Sequence, residues 1–369
     1  MNRLFEQTSI NGMKLANRFV RSATWEGMAT EEGACSLRLI DLMTALARGG
    51  VGLIITSHAY VSQEGQAGPR QLGVYSDALI PSLQAMVKAV HENGGRIVMQ
   101  LAHAGFFAHA KLTGQAPLAP SNLEGAAKSP RREMTVEDIR NVVKSYGAAA
   151  KRAQSAGFDG VQIHAAHGYL LSQFLSPAFN RRTDEYGGEI GHRAKALVEV
   201  LRKIRQTAGK DYPVMVKMNC RDFFENGLEL DDSLKAGSML VSEGIDAIEL
   251  SGGVLVGGKL GPSRMGIKSE EKEAYFQHEA RAFKESVNAP LILVGGNRSF
   301  EVAERLISQG VADYISMSRP LIREPALINR WKAGDLRRAA CVSDNQCFES
   351  TGKGRGVYCL TEERERNKQ

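Results

Sequence analysis

The chain has 369 residues, 43% of them hydrophobic and 24% charged, which excludes intrinsic disorder and supplies enough apolar side chains for a large core. This length fits either two or three domains of roughly 150 residues or one α/β barrel of about 250 residues or more. The net charge of +6 is spread along the chain without a long Lys/Arg run, which gives little support for nucleic-acid binding. The sequence contains no run of roughly 18 apolar residues that could span a membrane, and its first ten residues show no signal-peptide core. We therefore expect a cytoplasmic protein without a nucleic-acid or membrane partner.

A hairpin and eight strands are predicted in chain order. The hairpin is centred on Asn11-Gly12, a turn pair between apolar flanks, and we expect it to plug the bottom of a barrel. The runs that follow are mostly apolar throughout, which is typical of parallel strands buried on both faces. The predicted strands are residues 18–23, 52–56, 96–101, 160–164, 214–219, 247–251, 291–294 and 314–317.

Helical patterns fall between these strands. Residues 77–93 place five apolar side chains on one face and end at a Gly-Gly pair. Residues 135–156 open with a capping-box pattern at Thr135. Further helices are predicted at 231–243, 299–309 and 321–333, and a frayed tail at 361–369.

Eight strand–helix units fit a closed (β/α)8 barrel or a doubly wound sheet. The count of eight, the lack of a Rossmann glycine fingerprint after the first strand, and phosphate-type signals after the last two strands favour the barrel. We expect a TIM barrel over residues 1–335 and a short C-terminal extension over 336–369. The longest loops, at 102–134, 165–190 and 252–277, all follow strands and mark the functional face.

The densest chemical cluster is His164, His167 and Tyr169, at the end of the fourth predicted strand. Two imidazoles and a phenol at a barrel mouth are suited to bind a carbonyl or phenolate oxygen and to supply a proton. A metal site and a structural histidine pair are the alternatives. No HExxH or HxxEH pattern accompanies the cluster, so we expect no metal.

Two glycine- and arginine-containing loops predict a phosphate site. Gly295-Gly296-Asn297-Arg298 and Ser318-Arg319-Pro320 follow the seventh and eighth strands. Lys217 lies within an apolar strand, where burial requires a negative partner unless the side chain reaches solvent at the rim. Gln100 lies at another strand end, where its amide suits the edge of a heterocycle or bonds to neighbouring backbone.

Three strings of the sequence resemble the old yellow enzyme family of FMN oxidoreductases. They are Gln100-Leu101-Ala102-His103-Ala104-Gly105, the stretch from Gly157 through His164-x-x-His167-Gly168-Tyr169, and Gln173-Phe174-Leu175-Ser176-Pro177 leading to Tyr186-Gly187-Gly188. The resemblance covers residues 3–335, and the stretch 157–188 is long and specific.

The resemblance implies FMN at the mouth of the barrel. Gly295, Gly296, Asn297, Ser318 and Arg319 would bind the phosphate, Gln100 the pyrimidine edge, and Lys217 the N1 and O2 side; Ser22, Ala23, Thr24 and Ser57 would complete the cofactor site. NADH or NADPH would reduce FMN and leave. An α,β-unsaturated carbonyl compound would then bind to His164 and His167, with Trp25 in the pocket, and accept a hydride from the flavin and a proton from Tyr169.

The sequence departs from the family in three places. Ser22-Ala23-Thr24-Trp25 stands where a Cys or Thr is common near N5, and Phe106-Phe107 replaces an Arg after His-x-Gly. In the tail, Cys341, Cys347 and Cys359 resemble a four-cysteine iron–sulfur motif in which Asp344 occupies one cysteine position, so we expect no cluster and no metal. The odd count of five cysteines favours a reducing environment.

Three other functions stay open on the sequence alone. A flavin-dependent demethylase or dehydrogenase would keep the cofactor, and so would a reductase of dienoyl-CoA thioesters or nitro compounds. A flavin-free phosphate-binding lyase or isomerase would use Lys217 as its only Schiff-base candidate. A small-molecule substrate is expected in each case, and self-association of the chain is expected by analogy with the fold.

Overall fold

A computed structural model describes residues 2–123 and 131–367. It contains an eight-stranded closed barrel in the order β10-β11-β12-β3-β4-β5-β8-β9, with every neighbouring pair parallel. The strands are β1 (Thr8–Ile10), β2 (Met13–Leu15), β3 (Phe19–Arg21), β4 (Leu53–Tyr60), β5 (Ile97–Ala102), β6 (Leu118–Ala119), β7 (Arg132–Glu133), β8 (Gly160–Ala165), β9 (Val214–Asn219), β10 (Ala247–Ser251), β11 (Leu291–Leu293) and β12 (Tyr314–Met317). The chain is therefore a (β/α)8 TIM barrel, as the sequence predicts.

The barrel strands are buried along their whole length, because helices cover them outside and side chains fill them inside. All eight predicted strands are present. The largest difference is at β4, which continues four residues beyond the predicted end at residue 56. A register shift between Ile55 and His58 interrupts its pairing with β5. Such an irregularity re-aims side chains at the end of a strand.

The helices cover the outside of the barrel and the loops of its mouth. They are α1 (Leu37–Arg48), α2 (Ile80–Glu92), α3 (Ala110–Thr113), α4 (Val136–Ser155), α5 (Leu170–Leu175), α6 (Ile190–Arg193), α7 (Lys195–Ala208), α8 (Leu230–Ser242), α9 (Gln277–Ser286), α10 (Phe300–Ser308), α11 (Arg319–Arg323), α12 (Leu327–Lys332), α13 (Gln346–Gly352) and α14 (Leu360–Arg366). The capping box of α4 is confirmed, since Thr135 and Asp138 exchange side-chain-to-backbone hydrogen bonds.

Three helices on the outside of the barrel, α1, α7 and α9, were not predicted from the sequence. The single helix predicted at 321–333 was wrong. The helix α1 carries a usable signal, an N-cap at Ser36 before an apolar stripe, whereas α9 is short and buries only a few side chains. The helix predicted at 321–333 is two helices, α11 and α12, separated at Glu324-Pro325-Ala326. Proline has no backbone N–H to donate and disfavours the helical conformation of the residue before it, which accounts for the break.

The hairpin β1–β2 closes the bottom of the barrel, as predicted. Ile10, Met13 and Leu15 pack against the interior side chains of the barrel strands, among them Val98 and Met215. This plug leaves the opposite end of the barrel, where the strands end, for the functional site.

The C-terminal extension is folded. The helix α14 continues to Arg366, so the predicted frayed tail is wrong over 361–366, while residues 368–369 lie outside the described residues. The backbone N–H of Val357 donates to the carbonyl of Glu26 at 2.8 Å, and Arg70 donates to the carbonyl of Gly354 at 2.7 Å. These bonds fasten the extension to the loops that follow β3 and β4.

Two smaller observations complete the fold. Trp331 packs against Phe19 and Phe300 inside the protein, so it stabilises the core. Among the helices of residues 2–123 and 131–367, none is long and apolar enough to cross a membrane.

Candidate active site

A cavity of about 640 Å³ opens at the carboxyl ends of the barrel strands. Nearly all of the site residues predicted from the sequence line it: Ser22, Ala23, Thr24, Trp25, Gln100, His164, His167, Tyr169, Lys217, Gly296, Asn297, Ser318 and Arg319. Residues from every part of the chain therefore meet in one place, as expected for the mouth of a barrel.

Two predicted residues lie outside this lining. Ser57 is buried beside the carboxyl group of Glu26, because successive side chains of a strand point to opposite faces and the next residue, His58, takes the inward position. The carbonyl oxygen of Gly295 accepts a hydrogen bond of 3.0 Å from the backbone N–H of Tyr275. Its neighbours Val294 and Gly296 reach the cavity instead.

The two imidazoles and the phenol form one group. Ring centroids are 5.5 Å apart for His164 and His167 and 4.6 Å apart for His164 and Tyr169. The backbone at His167 has a φ of +63°, and its N–H donates to Oδ1 of Asn219 at 3.1 Å, which holds this turn. His167 Nε2 is 2.7 Å from Oγ of Ser251. The contiguous motif therefore places its three side chains side by side.

Burial fixes the protonation of this group. Burial lowers the pKa of His164 and of His167 well below the usual value, and the nearby Lys217 and His58 lower both further. Burial raises the pKa of Tyr169. At neutral pH the group consists of two neutral imidazoles and a protonated phenol. It can donate hydrogen bonds to an oxygen and give up one proton.

His58 is a site residue that the sequence analysis missed. Its Nε2 is 3.1 Å from the hydroxyl of Tyr169, and burial lowers its pKa to about 4. The predicted second strand ended at residue 56, which left His58 in a loop. The polar residues at the end of that apolar run were the available signal, but the register shift that turns His58 inward is not visible in the sequence.

A buried ion pair joins the floor of the cavity to the interior of the barrel beneath it. Nζ of Lys217 is 3.3 Å from Oε1 of Glu249, and both side chains are almost completely buried. The same ammonium donates to Oγ of Ser22 at 2.7 Å, and that hydroxyl donates to Glu249 at 2.7 Å. The prediction that Lys217 meets a negative group is thus confirmed within the protein itself, because Glu249 is its partner.

The predicted phosphate end combines two loops with a wall that was not predicted. Thr24 and Ser318 share a hydrogen bond of 2.6 Å. Arg319 donates to Oδ1 of Asn345 at 2.8 Å and to the carbonyl of Arg264 at 2.9 Å. Asn345 and Phe348, from the C-terminal extension, line the cavity. The extension therefore forms part of the site, a role that its altered cysteine motif does not indicate.

Arginines in two of the long loops have partners within the protein. Arg132 makes two hydrogen bonds to the carboxylate of Asp138, at 2.7 and 2.9 Å, and Arg131 lies over the ring of Phe106 at 5.3 Å. Arg182 pairs with Asp184 at 2.5 Å within the loop that follows β8. The predicted long loop 102–134 is only partly described, since residues 124–130 lie outside the described residues.

All five cysteines are free thiols. Cys341 and Cys347 are buried, and Cys359 is half-buried. Burial, together with a smaller effect of the neighbouring Cys341, raises the pKa of Cys347 to about 12. In the described ranges, no three His, Cys, Asp or Glu side chains form a metal-binding group.

Comparison with known proteins identifies the family. A profile of the NADH:flavin oxidoreductase / NADH oxidase family matches residues 3–337. The chain belongs to this family. It is 35% identical over 350 residues to the NADH oxidase of Thermoanaerobacter brockii, which covers 93% of this chain and 52% of that protein. Membership in this family favours flavin chemistry with a nicotinamide reductant over the flavin-free lyase or isomerase.

Solved structures support the same assignment. A 2-naphthoyl-CoA reductase superposes with a TM-score of 0.90 at 26% identity, over 97% of this chain and 56% of that one. An old yellow enzyme homologue from Zymomonas mobilis superposes with a TM-score of 0.77 at 28% identity, over 92% and 95% of the two chains. The chain thus spans little more than half the length of the NADH oxidase and of the 2-naphthoyl-CoA reductase.

The cavity residues fit FMN. Asn297 Oδ1 and His164 Nδ1 are buried without a hydrogen-bond partner in the described part of the chain, so polar groups are available to a ligand. At Gly296 the backbone approaches Tyr275 so closely that a Cβ atom would lie 2.8 Å from its ring. Arg319 and the backbone of Gly296 at one end match a phosphate, and Lys217 and the amide of Gln100 at the other end match a heterocycle.

Proposed function

We propose that this chain reduces the activated C=C bond of an α,β-unsaturated carbonyl compound, with NADH or NADPH as the electron source in a ping-pong sequence. The observation that carries the proposal is the group of two neutral imidazoles and one protonated phenol at the end of β8. Bound FMN would supply the redox chemistry, taking a hydride from the nucleotide and passing one to the β-carbon of the acceptor.

The cavity has two ends that match the two ends of the cofactor. Gly296, Asn297, Ser318 and Arg319 would hold the phosphate, with Asn345 supporting Arg319. Gln100 and Lys217 would face the pyrimidine edge of the ring system, and Ser22, Ala23 and Thr24 would lie along its N5 side. In this arrangement, Tyr169 and the histidines would cover the reactive face of the flavin.

His164 and His167 would bind the carbonyl oxygen of the acceptor. Neutral imidazoles donate one hydrogen bond each, and the donors are worth most in a site from which water is excluded. His167 already makes a hydrogen bond to Ser251 through Nε2, which fixes the orientation of its ring. The two hydrogen bonds would polarise the conjugated system and make the β-carbon electrophilic.

Tyr169 would protonate the α-carbon. Its raised pKa keeps the proton on the phenol until a carbanion-like centre forms beside it. His58 contacts the same hydroxyl and would hold it in one orientation. A phenol that is buried, protonated and hydrogen-bonded by a neutral group suits an acid better than a base.

One solved relative has an acceptor of this class bound. The structure with a TM-score of 0.90 is a complex of a reductase with 2-naphthoyl-CoA, a conjugated acyl thioester. Reduction of a conjugated CoA thioester is the related alternative, because the thioester carbonyl also activates the adjacent double bond. A demethylase or dehydrogenase reaction would instead need a base at the position of Tyr169, and the raised pKa of this phenol argues against that role.

The test is a Tyr169→Phe variant studied in both half-reactions by stopped-flow absorbance of the flavin. We expect reoxidation of the reduced enzyme by 2-cyclohexenone to slow by about 10²–10⁴-fold, the usual contribution of a general acid. Reduction of the flavin by NADH or NADPH should stay nearly unchanged. Equal losses in both half-reactions, or no loss with a panel of enones, would contradict the proposal.

Tyr146→Phe is the matched control. Tyr146 is also buried, on α4, and its hydroxyl has no hydrogen-bond partner in the described ranges. It does not line the cavity. Both half-reactions should therefore keep their rates in this variant.

A further inference from the structure

Glu249 lies directly beneath the floor of the cavity and is completely buried. It is not part of the cavity lining, yet four side chains around the barrel converge on its carboxylate. Ser22 and Ser316 donate to Oε1 at 2.7 and 2.8 Å, Gln162 donates to Oε2 at 2.9 Å, and Lys217 lies 3.3 Å from Oε1. These groups come from the ends or interiors of β3, β12, β8 and β9.

This carboxylate is ionised. Burial by itself raises the pKa of Glu249, but Lys217 and the three donors outweigh burial, so the pKa lies below its usual value. An ionised carboxylate only accepts hydrogen bonds. Every group that contacts Glu249 must therefore turn a donor toward it.

That requirement fixes the orientation of two amides in series. Gln162 turns its NH2 group to Glu249, so its carbonyl oxygen faces Gln100, with which it is paired in register on the neighbouring strand. Gln100 must then donate from Nε2 to that oxygen, at 2.7 Å. Its own oxygen is left for the cavity, where it can accept a hydrogen bond from a ring N–H such as the one on the pyrimidine edge of a flavin.

The same carboxylate also balances the charge of Lys217. The two residues are paired in register on β9 and β10, so their side chains lie at one level of the barrel. A buried lysine next to a bound flavin would stabilise the added electrons, and an adjacent carboxylate opposes that effect.

We propose that Glu249 is a positioning residue that sets both the hydrogen-bonding polarity of Gln100 and the net charge beside the pyrimidine edge of FMN. Glu249 acts only through Gln162, Gln100 and Lys217, since it does not reach the cavity. The inference rests on the orientation of FMN in the proposed function, with the pyrimidine edge at Gln100 and Lys217.

The test compares Glu249→Gln and Lys217→Met in the FMN-loaded protein by dye-linked measurement of the flavin midpoint potential. Glu249→Gln removes a negative charge, so the potential should become more positive. The ratio of reduced to oxidised flavin at a fixed poise should rise at least tenfold, which is about 30 mV for a two-electron couple. Lys217→Met should move the potential in the opposite direction. If the two substitutions acted only by disturbing the structure, they would not be expected to shift the midpoint potential in opposite directions.

The affinity for FMN tests the amide series separately. In Glu249→Gln the new amide no longer dictates which end of Gln162 faces it, and the dissociation constant of FMN should rise at least tenfold. Gln162→Leu removes the hydrogen bonds that link Glu249 to Gln100 but keeps the charges of Lys217 and Glu249. It should therefore weaken FMN binding and change the midpoint potential less than Glu249→Gln does. Glu279→Gln, which removes a buried carboxylate on the outer helix α9, is the control and should leave both quantities within threefold.

The double variant Lys217→Met/Glu249→Gln covers the case in which Glu249→Gln does not fold. Removal of both charges avoids an unpaired buried ion, and its potential should be more positive than that of Lys217→Met alone. An equal potential in these two variants, or shifts of the same sign in the two single variants, would overturn the inference. None of these measurements uses an enone, so a failure of the ene-reductase proposal would be recognised separately through Tyr169→Phe.

Discussion

The two ends of the cavity are built in different ways. The oxygen-binding end takes three of its groups, His164, His167 and Tyr169, from six consecutive residues after one strand. The phosphate end joins Gly296 and Arg319, from loops after β11 and β12, to Asn345, from the C-terminal extension. The first is a local motif that a sequence shows directly, while the second exists only once distant segments have packed together.

The difference is also electrostatic. Around His164 and Tyr169, burial suppresses charge and leaves neutral donors. Around Arg319 a permanent cation is held by neutral acceptors, the carbonyl of Arg264 and the side-chain oxygen of Asn345. No carboxylate is among these two partners, so the charge of Arg319 stays available to an anion. The two ends should therefore respond differently to substitution and to pH.

Among the substitutions that compare the two ends, the double variant His164→Ala/His167→Ala should have the largest effect. Loss of the hydrogen-bond donors to the developing oxyanion should slow reoxidation by 2-cyclohexenone about 10²–10³-fold or more. Reoxidation by molecular oxygen, which needs no carbonyl-binding donor, should change less than threefold and serves as the internal control. If both oxidants slowed equally, the histidines would have no specific role at the carbonyl oxygen.

Acid should weaken the oxygen-binding end through His58. Its pKa is about 4 in the folded protein and about 6.5 in the unfolded chain. The unfolded state therefore binds a proton first, so the stability due to neutral His58 is complete above about pH 6.5 and is lost as the pH falls toward 4. The loss amounts to about 3 kcal/mol. His164 and His167 act in the same direction.

Urea unfolding of His58→Asn at pH 7 and pH 4.5 measures this contribution. The variant should lose about 2 kcal/mol less than the wild type between these two pH values, because pH 4.5 lies above the folded pKa and only part of the full loss has occurred there. His192→Asn, at an exposed position on α6, should keep the wild-type pH dependence. Equal slopes for His58→Asn and the wild type would show that His58 does not contribute.

At the phosphate end, Arg319→Met should weaken FMN binding about 10–100-fold, as expected for the loss of a charge-assisted contact. Riboflavin lacks the phosphate, and its affinity should change less than threefold. Arg330→Met, on the neighbouring helix α12, removes an arginine that pairs with Glu324 and Asp335 outside the cavity. Titration of flavin fluorescence gives all of these constants. Equal losses for FMN and riboflavin would place Arg319 away from the phosphate.

The smallest effect is expected at the extension. Asn345 has a φ of +61°, which glycine also adopts freely, so Asn345→Gly removes the side chain without straining the backbone. FMN affinity should fall about fivefold to tenfold, because Arg319 loses an acceptor worth about 1 kcal/mol. Ser343→Gly is the control, since Ser343 has a φ of +57° and does not line the cavity. An unchanged affinity in Asn345→Gly would show that the extension only covers the site.

This contrast explains what the sequence analysis found and missed. The eight strands and the group around His164 follow from local patterns, since apolar runs and strand-end motifs need no knowledge of distant residues. His58, Glu249 and Asn345 were missed for different physical reasons. A register shift turns His58 inward, Glu249 interrupts its strand as a single acid whose partners lie on other strands, and Asn345 depends on how the extension docks.

The hairpin at the bottom of the barrel has a consequence for how the chain folds. The hydroxyl of Tyr314, on the last strand, lies 3.0 Å from that of Thr8, 306 positions away in the chain. The first and last barrel strands, β3 and β12, pair directly above this contact. Contacts between such distant segments cost loop entropy and form slowly. We therefore expect the seam between β12 and β3 to close late in folding, and the cavity to become competent for its cofactor only after that closure.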